Sequence, residues 1–295
     1  MATYRGLSVN GTTLLPVSGV SMSVARNLIA EETMSAVGES KLFGGTYLSS
    51  GTIDGIYRTD LDVIVEKLFG QAVTSGLGEL PASGAWFNNI YVSDEFGHGY
   101  KVASVMITSM DLNVQTKDFA KVSFNWIGGD ASADTHSFSV APTYSNSVSV
   151  FYNTTITVNS VAIKCMNISV RVERPIDQDY YILGHEYLDD YVQSGAVTVS
   201  GSIGLGPKEW SDLQNALSTD DPFPGVVQSS NANDIEFGEI EILLAEPTGT
   251  SVIRTITIPN CKISDATANV TGRNKFEKTI NWRAETTASS KIIFS

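Results

Sequence analysis

Cysteine, histidine and basic residues are all scarce in this chain of 295 residues. There are two cysteines, too few for a disulfide framework, and both Cys165 and Cys261 fall in apolar strand-like runs where a reduced, buried thiol is expected. The three histidines, His98, His136 and His185, have no Gly-x-Ser-x-Gly or comparable nucleophile motif beside them. Lysine and arginine number 19 against 32 acidic residues, a net charge of -13. That balance excludes a surface built to grip phosphate, because affinity for nucleic acid comes mainly from basic side chains displacing counterions. No apolar run approaches the ~18 residues that span a bilayer, so a membrane protein is not expected. The opening residues, MATYRGLSVNGTTLLPVSG, lack the basic and apolar regions of a secretory signal.

What remains is a hydrophobic fraction of 42%, enough for two domains of roughly 150 residues without a metal or disulfide staple. The acidic excess is shared evenly. Residues 1 to 140 hold 8 basic and 14 acidic side chains, and residues 141 to 295 hold 11 and 18.

The two halves also echo each other. Shifted by 156, VMITSMDLNVQTKDFAKVSFNW (105 to 126) lies on CKISDATANVTGRNKFEKTINW (261 to 282) without a gap, bringing Asn125-Trp126 onto Asn281-Trp282. At a shift of 150, GTYLSSGTI (45 to 53) meets GAVTVSGSI (195 to 203), and near 149 Leu61, Ile64 and Leu68 meet Trp210, Leu213 and Leu217. Three matches in the same order indicate a tandem duplication, with domains expected at 1–140 and 141–295. The small, polar stretch 129–147 between them has the composition of a linker.

Each half reads as mainly β. Alternation marks strands at 19–26 and 166–173, then at 46–58 and 195–204, with longer irregular segments at 27–44 and 174–194 between them. One helix follows in each half. In the first, Leu61, Ile64, Val65 and Leu68 have helical spacing, with Asp60 as N-cap and Gly70 as the stop; in the second, Pro207 opens a similar run. Further strands and a polar hairpin turn close each half. A sheet-dominated domain with one flanking helix belongs to the sandwich or half-barrel class.

Candidate chemistry is thin. GHEYLDD (His185, Glu186, Asp189) has part of the outline of a zinc helix but lacks the second histidine. GSIGLGPK (201 to 208) departs from a phosphate loop at Pro207 and has no Ser/Thr after Lys208. The carboxylates of NANDIEFGEIE (Glu236, Glu239, Glu241) lack the spacing of a calcium loop and suit the wet face of a strand. Trp126 and Trp282 read as core anchors with satisfied indoles, Asn125 and Asn281 as polar residues of the opposite face. No catalytic, cofactor or metal site is expected, and no enzyme.

SGTIDGIYRTD running into a short helix, then strands and a closing NVxxxxxFxKxxxNW segment, resembles the tail tube proteins of long-tailed bacteriophages. The resemblance covers both halves and departs from the single-domain pattern by being doubled. It implies a structural virion protein: six domains forming a ring whose inner strands make a β-barrel, and rings stacking into a tube for DNA ejection. With two domains per chain, three chains complete a pseudo-hexameric ring. Implied partners are further copies of the chain, the tape measure, terminator and baseplate proteins, and DNA in passage. Assembly would take place in the host bacterial cytoplasm.

An acidic lumen would let DNA slide without sticking, with Asp111, Asp118 and Glu277 as candidate lining residues. Leu42, Phe43, Tyr180, Tyr181, Ile182 and Leu183, apolar residues in the irregular segments, are candidates for contacts between rings. The competing reading is a tandem carbohydrate-binding or adhesion module presenting tyrosines and tryptophans.

Overall fold

The computed structural model describes residues 6–11, 13–31, 41–78, 86–93, 98–134, 148–181, 183, 186–188, 190–206, 213, 236–248, 251–271, 275–285 and 292–295. It is mainly antiparallel β. The first half contributes β1 (Gly6–Val9), β2 (Thr13–Leu15), β3 (Gly19–Glu31), β4 (Lys41–Ile56), helix α1 (Asp62–Phe69), β5 (Phe87–Ser93), β6 (Gly99–Gln115), β7 (Lys121–Gly128) and β8 (Ala131–Asp134). The second contributes β9 (Thr155–Val158), β10 (Val161–Ile163), β11 (Asn167–Glu173), β12 (Thr198–Leu205), β13 (Glu236–Ala245), β14 (Val252–Thr271), β15 (Lys275–Ala284) and β16 (Ile293–Phe294).

Two pairing patterns recur. In the first half β2 pairs β1, β1 pairs β5 and β5 pairs β6; in the second, β10 pairs β9, β9 pairs β13 and β13 pairs β14. Likewise the order β3-β4-β7-β6 is matched by β11-β12-β15-β14. The turns agree in detail. Asn10 and Gly11 have φ of 52° and 71°, Asn159 and Ser160 49° and 64°, the left-handed values a tight hairpin turn demands. In each, the Asn backbone N–H donates to the neighbouring strand, to the Asn89 carbonyl at 2.8 Å and to that of Glu239 at 2.9 Å.

The echoed Asn-Trp pair has a local explanation. Gly51 lies opposite Trp126 across β4 and β7, and Gly201 lies opposite Trp282 across β12 and β15. A Cβ on Gly51 would sit 2.0 Å from the Ser21 carbonyl oxygen and 2.7 Å from Trp126 Cζ2; on Gly201, the distances to Ser169 O and Trp282 Cζ2 are 2.0 and 2.3 Å. Only glycine lets the indole cross there. Both strand pairs carry a bulge at the same place, between Ile107 and Ser109 and between Ile263 and Asp265, and a bulge redirects the side chain beside it. Asn125 Nδ2 donates to Ser109 Oγ and Asn281 Nδ2 to Asp265 Oδ1, both at 2.6 Å. Both tryptophans are buried, yet against expectation neither indole N–H has an acceptor among the described residues.

The two halves are joined at the backbone and in the core. β6 of the first half pairs β11 of the second over Ser109–Gln115 and Asn167–Glu173. One apolar cluster contains Leu61, Ile64, Trp126, Ile168, Ile203, Ile256, Trp282 and Phe294. Phe294 from β16 meets Phe69 of α1 edge to face with ring centroids 5.4 Å apart. Tyr57 Oη donates to Asp62 at 2.7 Å, and Arg254 Nε from β14 donates to the same carboxylate at 2.9 Å.

Three sequence expectations need revision. Asp60 is not the helix cap: it lies in a 3-10 turn, Thr59–Leu61, that leads into α1, while Gly70 ends the helix in the left-handed conformation at φ 75° as expected. The segment 27–44 is not wholly irregular, because β3 and β4 extend into it from either side and pair antiparallel there, with Ile29 opposite Phe43 and Ala30 opposite Leu42. The linker reading fails for residues 131–134, which pair as β8 with β6, and residues 135–147 lie outside the described ones. So does the second helix, apart from Leu213, which is helical and buried.

Candidate functional site

Side chains on the joined sheet separate by face, because strand residues alternate. On β6 and β11, Met110, Leu112, Val114, Ile168, Val170 and Val172 point into the core. The other face carries Ser109, Asp111 and Asn113, then Ser169, Arg171 and Glu173, continuing through Ser200 and Ser202 to Asn281. That face is concave: a trough of about 380 Å³ is lined by Asp111, Asn113, Ser169, Arg171, Ser202 and Asn281.

Its chemistry is that of hydroxyls and amides. Ser21 and Thr52 hydroxyls meet at 2.8 Å, as do those of Ser169 and Ser202. Ser123 Oγ donates to Asp54 at 2.5 Å. Carboxylates do lie on this face, but bases are interspersed. Arg171 is 3.8 Å from Asp111 and 3.4 Å from Glu173, and Arg283 stands opposite Ser200.

Asp111 is thus on the concave face, its pKa raised by partial burial against the opposing pull of Arg171. Glu277, half-buried on β15, lies opposite Asn269 of β14. Asp118 is not on a strand. It sits in the turn between β6 and β7, accepts from Lys121 Nζ at 2.6 Å and from the Phe119 N–H at 2.8 Å, and these bonds lower its pKa. Asp111 and Asp118 nonetheless line one hollow of about 530 Å³, together with Asp54, Lys121 and Ser123.

The candidates for contacts between rings divide similarly. Leu183 is fully exposed, at 100%, and Tyr180 is exposed. Tyr181 instead packs on its own chain, against a small cluster of Met106, Ile127, Ile176, Leu188 and Tyr191, with its hydroxyl donating to the Tyr47 carbonyl at 3.4 Å. Leu42 and Phe43 lie in β4, opposite Ala30 and Ile29 of β3. Ile182 lies outside the described residues, as do His136, His185 and Asp189. Glu186 pairs with Arg26 at 3.2 Å, and its carbonyl accepts from the Tyr47 N–H.

The residues of the other discarded motifs take structural places. Ser202 to Leu205 are strand residues of β12, and Glu239 and Glu241 flank the buried Ile240 on β13. Cys261 is buried, its thiol pKa pushed up to about 12 by burial, and Cys165 is half-buried; the two do not form a disulfide. Among the described residues no helix is long and apolar enough to cross a membrane, and no three of His, Cys, Asp and Glu converge as metal ligands would.

Sequence alone missed Arg174, the largest fully buried charged side chain among the described residues. Its guanidinium donates to the carbonyls of Leu68 and Gly78, each at 2.8 Å, and to Gln193 Oε1 at 2.7 Å. It ties the end of β11 to the end of α1. Burial lowers its pKa to about 10, which leaves it cationic at neutral pH. No sequence signal distinguishes it from Arg171, three positions earlier and exposed.

Comparison with known proteins gives a family match over most of the chain. The model of a family described as phage tail tube protein matches residues 45–284. No curated protein sequence matches the chain. Among solved structures, the sheath/tube terminator of an extracellular contractile injection system in the extended state aligns at TM-score 0.33 and 15% identity, covering 54% of this chain and 99% of that one. The tube terminating cap of the anti-feeding prophage aligns at TM-score 0.34 and 12% identity, covering 54% and 95%. The sheath-tube complex of the injection system gives TM-score 0.31 and 15% identity, covering 49% and 88%.

Proposed function

The chain belongs to the phage tail tube protein family, and from that premise we propose that three copies close into a ring and that rings stack into the tail tube. Its role is structural, not enzymatic. The observation that carries the ring is the continuous sheet: each half supplies four strands in the same order, and β6–β11 pairing already joins the two sets as neighbours. If each half is one domain of a duplicated pair, residues 1–140 and 141–295, the chain is two adjacent positions of a sixfold ring fused into one, and a threefold arrangement completes the circle. Closure removes the open sheet edges, which are otherwise sites of aggregation.

In this reading the concave polar face lines the lumen. Seryl, threonyl and asparaginyl side chains with interspersed rather than clustered bases offer DNA no basic stripe to hold it, and Asp54, Asp111, Glu173 and Glu277 add carboxylates that repel phosphate. Leu183 and Tyr180 reach toward the next ring. The other partners follow from the place in the virion: further tail proteins at the tube ends, the tape measure within it, and DNA in transit, after assembly in the host cytoplasm. The carbohydrate-binding alternative has no observation in its favour beyond isolated exposed tyrosines.

Negative-stain electron microscopy of the purified chain over a concentration series, with light scattering on the unassembled fraction, tests the proposal. Hollow tubes with three chains per ring are expected. Six chains per ring, or a monomer at every concentration even with tail initiation components present, would overturn it.

A further inference from the structure

The joined sheet ends in two free edges. β3 pairs only with β4, and β14 beyond Ile263 pairs only with β15, among the described residues. Each edge strand has a counterpart within the same chain whose two sides are both paired. β11 is the counterpart of β3, offset by 148 residues: the Ser21–Thr52 contact reappears as Ser169–Ser202. β6 is the counterpart of the C-terminal part of β14, offset by 156, with the bulge and the Asn-to-bulge hydrogen bond repeated. These two counterparts pair with each other, antiparallel, from Asn167 opposite Gln115 to Glu173 opposite Ser109.

We propose that this internal junction is the template for the junction between chains: β3 of one copy adds antiparallel to β14 of a second copy, in the register β11 adopts on β6. The two offsets then fix the partners. Gly19 lies opposite Thr271, Ser21 opposite Asn269, Ser23 opposite Thr267 and Ala25 opposite Asp265. The inference rests on the ring reading above and deepens it by naming the two edges and their register. The occupant of each edge is therefore another copy of this chain.

Burial supports the assignment independently of the pairing. Val172, on β11, is 0% exposed because β6 covers that edge; its counterpart on β3, Val24, is 48% exposed. The same apolar position is filled in both strands, but only one of them is covered. An apolar side chain on an open strand edge is what a protein avoids unless another strand is to be added there. The proposed seam also avoids charge conflict. Where Arg171 faces Asp111 in the internal junction, the copy-to-copy seam places Ser23 opposite Thr267, two hydroxyl residues that pair readily across strands. Head-to-tail joining of unlike edges generates a closed ring when the rotation is right.

The test is cross-linking of the full chain. Directly opposed residues in an antiparallel pair have Cα atoms about 4.5–5.5 Å apart, within disulfide reach. Ser23→Cys with Thr267→Cys, oxidised after assembly, is expected to give a covalent ladder that ends at three chains on a non-reducing denaturing gel. The single variants, which retain Cys165 and Cys261, control for the native thiols. Ser21→Cys with Asp265→Cys is out of register by four residues, roughly 13 Å along the strand, and is expected not to cross-link.

Rings that form without the Ser23–Thr267 cross-link, or that cross-link through the out-of-register pair, overturn the register and leave the ring reading intact. Failure of the wild-type chain to form any ring overturns both. Should the double variant not fold, a cryo-EM map of the wild-type tube decides the point, since Gly19 either does or does not lie opposite Thr271 of the neighbouring chain.

Discussion

Arg174 Nε donates to the carbonyl of Leu68 at 2.8 Å, so a charge at the end of a second-half strand closes the open end of a first-half helix. The last carbonyls of a helix lack partners of their own, and a cation there also meets the negative end of the helix dipole. Arg174→Ala is expected to cost about 3 kcal/mol by stranding buried carbonyls, read as a lower midpoint in urea. Arg26 holds the corresponding position on β3, where it is exposed and pairs with Glu186. Arg26→Ala should leave the midpoint of the monomer within about 0.5 kcal/mol of wild type while weakening assembly, measured by the concentration at which light scattering rises.

Gly51→Ala and Gly201→Ala should be damaging to a similar degree. Each adds a Cβ that would lie 2.0 Å from a backbone oxygen and under an indole, so the strand or the tryptophan must move. Overpacking of this kind costs about 1–3 kcal/mol, and more where backbone has to shift. Thermal unfolding of the two variants side by side checks the equivalence; a harmless change at either position would show that the glycine contact is not what holds the tryptophan.

Val24 and Val172 separate assembly from folding. Val172→Asp places a charge in the core and should prevent folding, whereas Val24→Asp places one on an open edge and should give a folded monomer that forms no rings. Circular dichroism with sedimentation velocity distinguishes the two outcomes. A Val24→Asp chain that still builds tubes would remove β3 from the interface.

Asp111 gives a pH signature. Its pKa is raised in the folded chain, chiefly by burial, so its contribution favours folding below its unfolded value near 4 and is progressively lost as pH climbs through the raised value. Asp111→Asn removes that loss. The difference in melting temperature, variant minus wild type, should therefore become more positive between pH 4 and pH 7, as followed by calorimetry of the unassembled chain.

Leu183→Asp tests stacking without touching the fold, because the side chain is fully exposed. Unchanged thermal stability with single rings in place of tubes is the expected result in electron micrographs. The corresponding change at Tyr181 is less informative, since that residue packs on its own chain.

Periodicity and repetition made the β class, the first helix and the paired Asn-Trp segments legible in the sequence, because alternation and tight turns are dictated by neighbours along the chain. The bulge beside each asparagine left no such mark. Nor did the difference between Arg171 and Arg174, whose exposure depends on α1, more than a hundred residues away. The setting of each carboxylate was equally illegible: Asp111 and Asp118 look alike in sequence, but one lies on a strand facing Arg171 and the other in a turn held by Lys121.

By itself the sequence determined the strand-rich composition, the echo between halves and the absence of recognisable catalytic motifs, since these rest on residue type and spacing. Only the tertiary structure decided that the halves share one core and one sheet. Strand pairing between distant segments is set by which edges meet and which apolar faces can be buried together, and no local pattern in β6 or β11 specifies that they meet each other. The same cause leaves Val24 bare and Val172 buried although both are valines on matching strands: the difference lies in the neighbour, not in the residue.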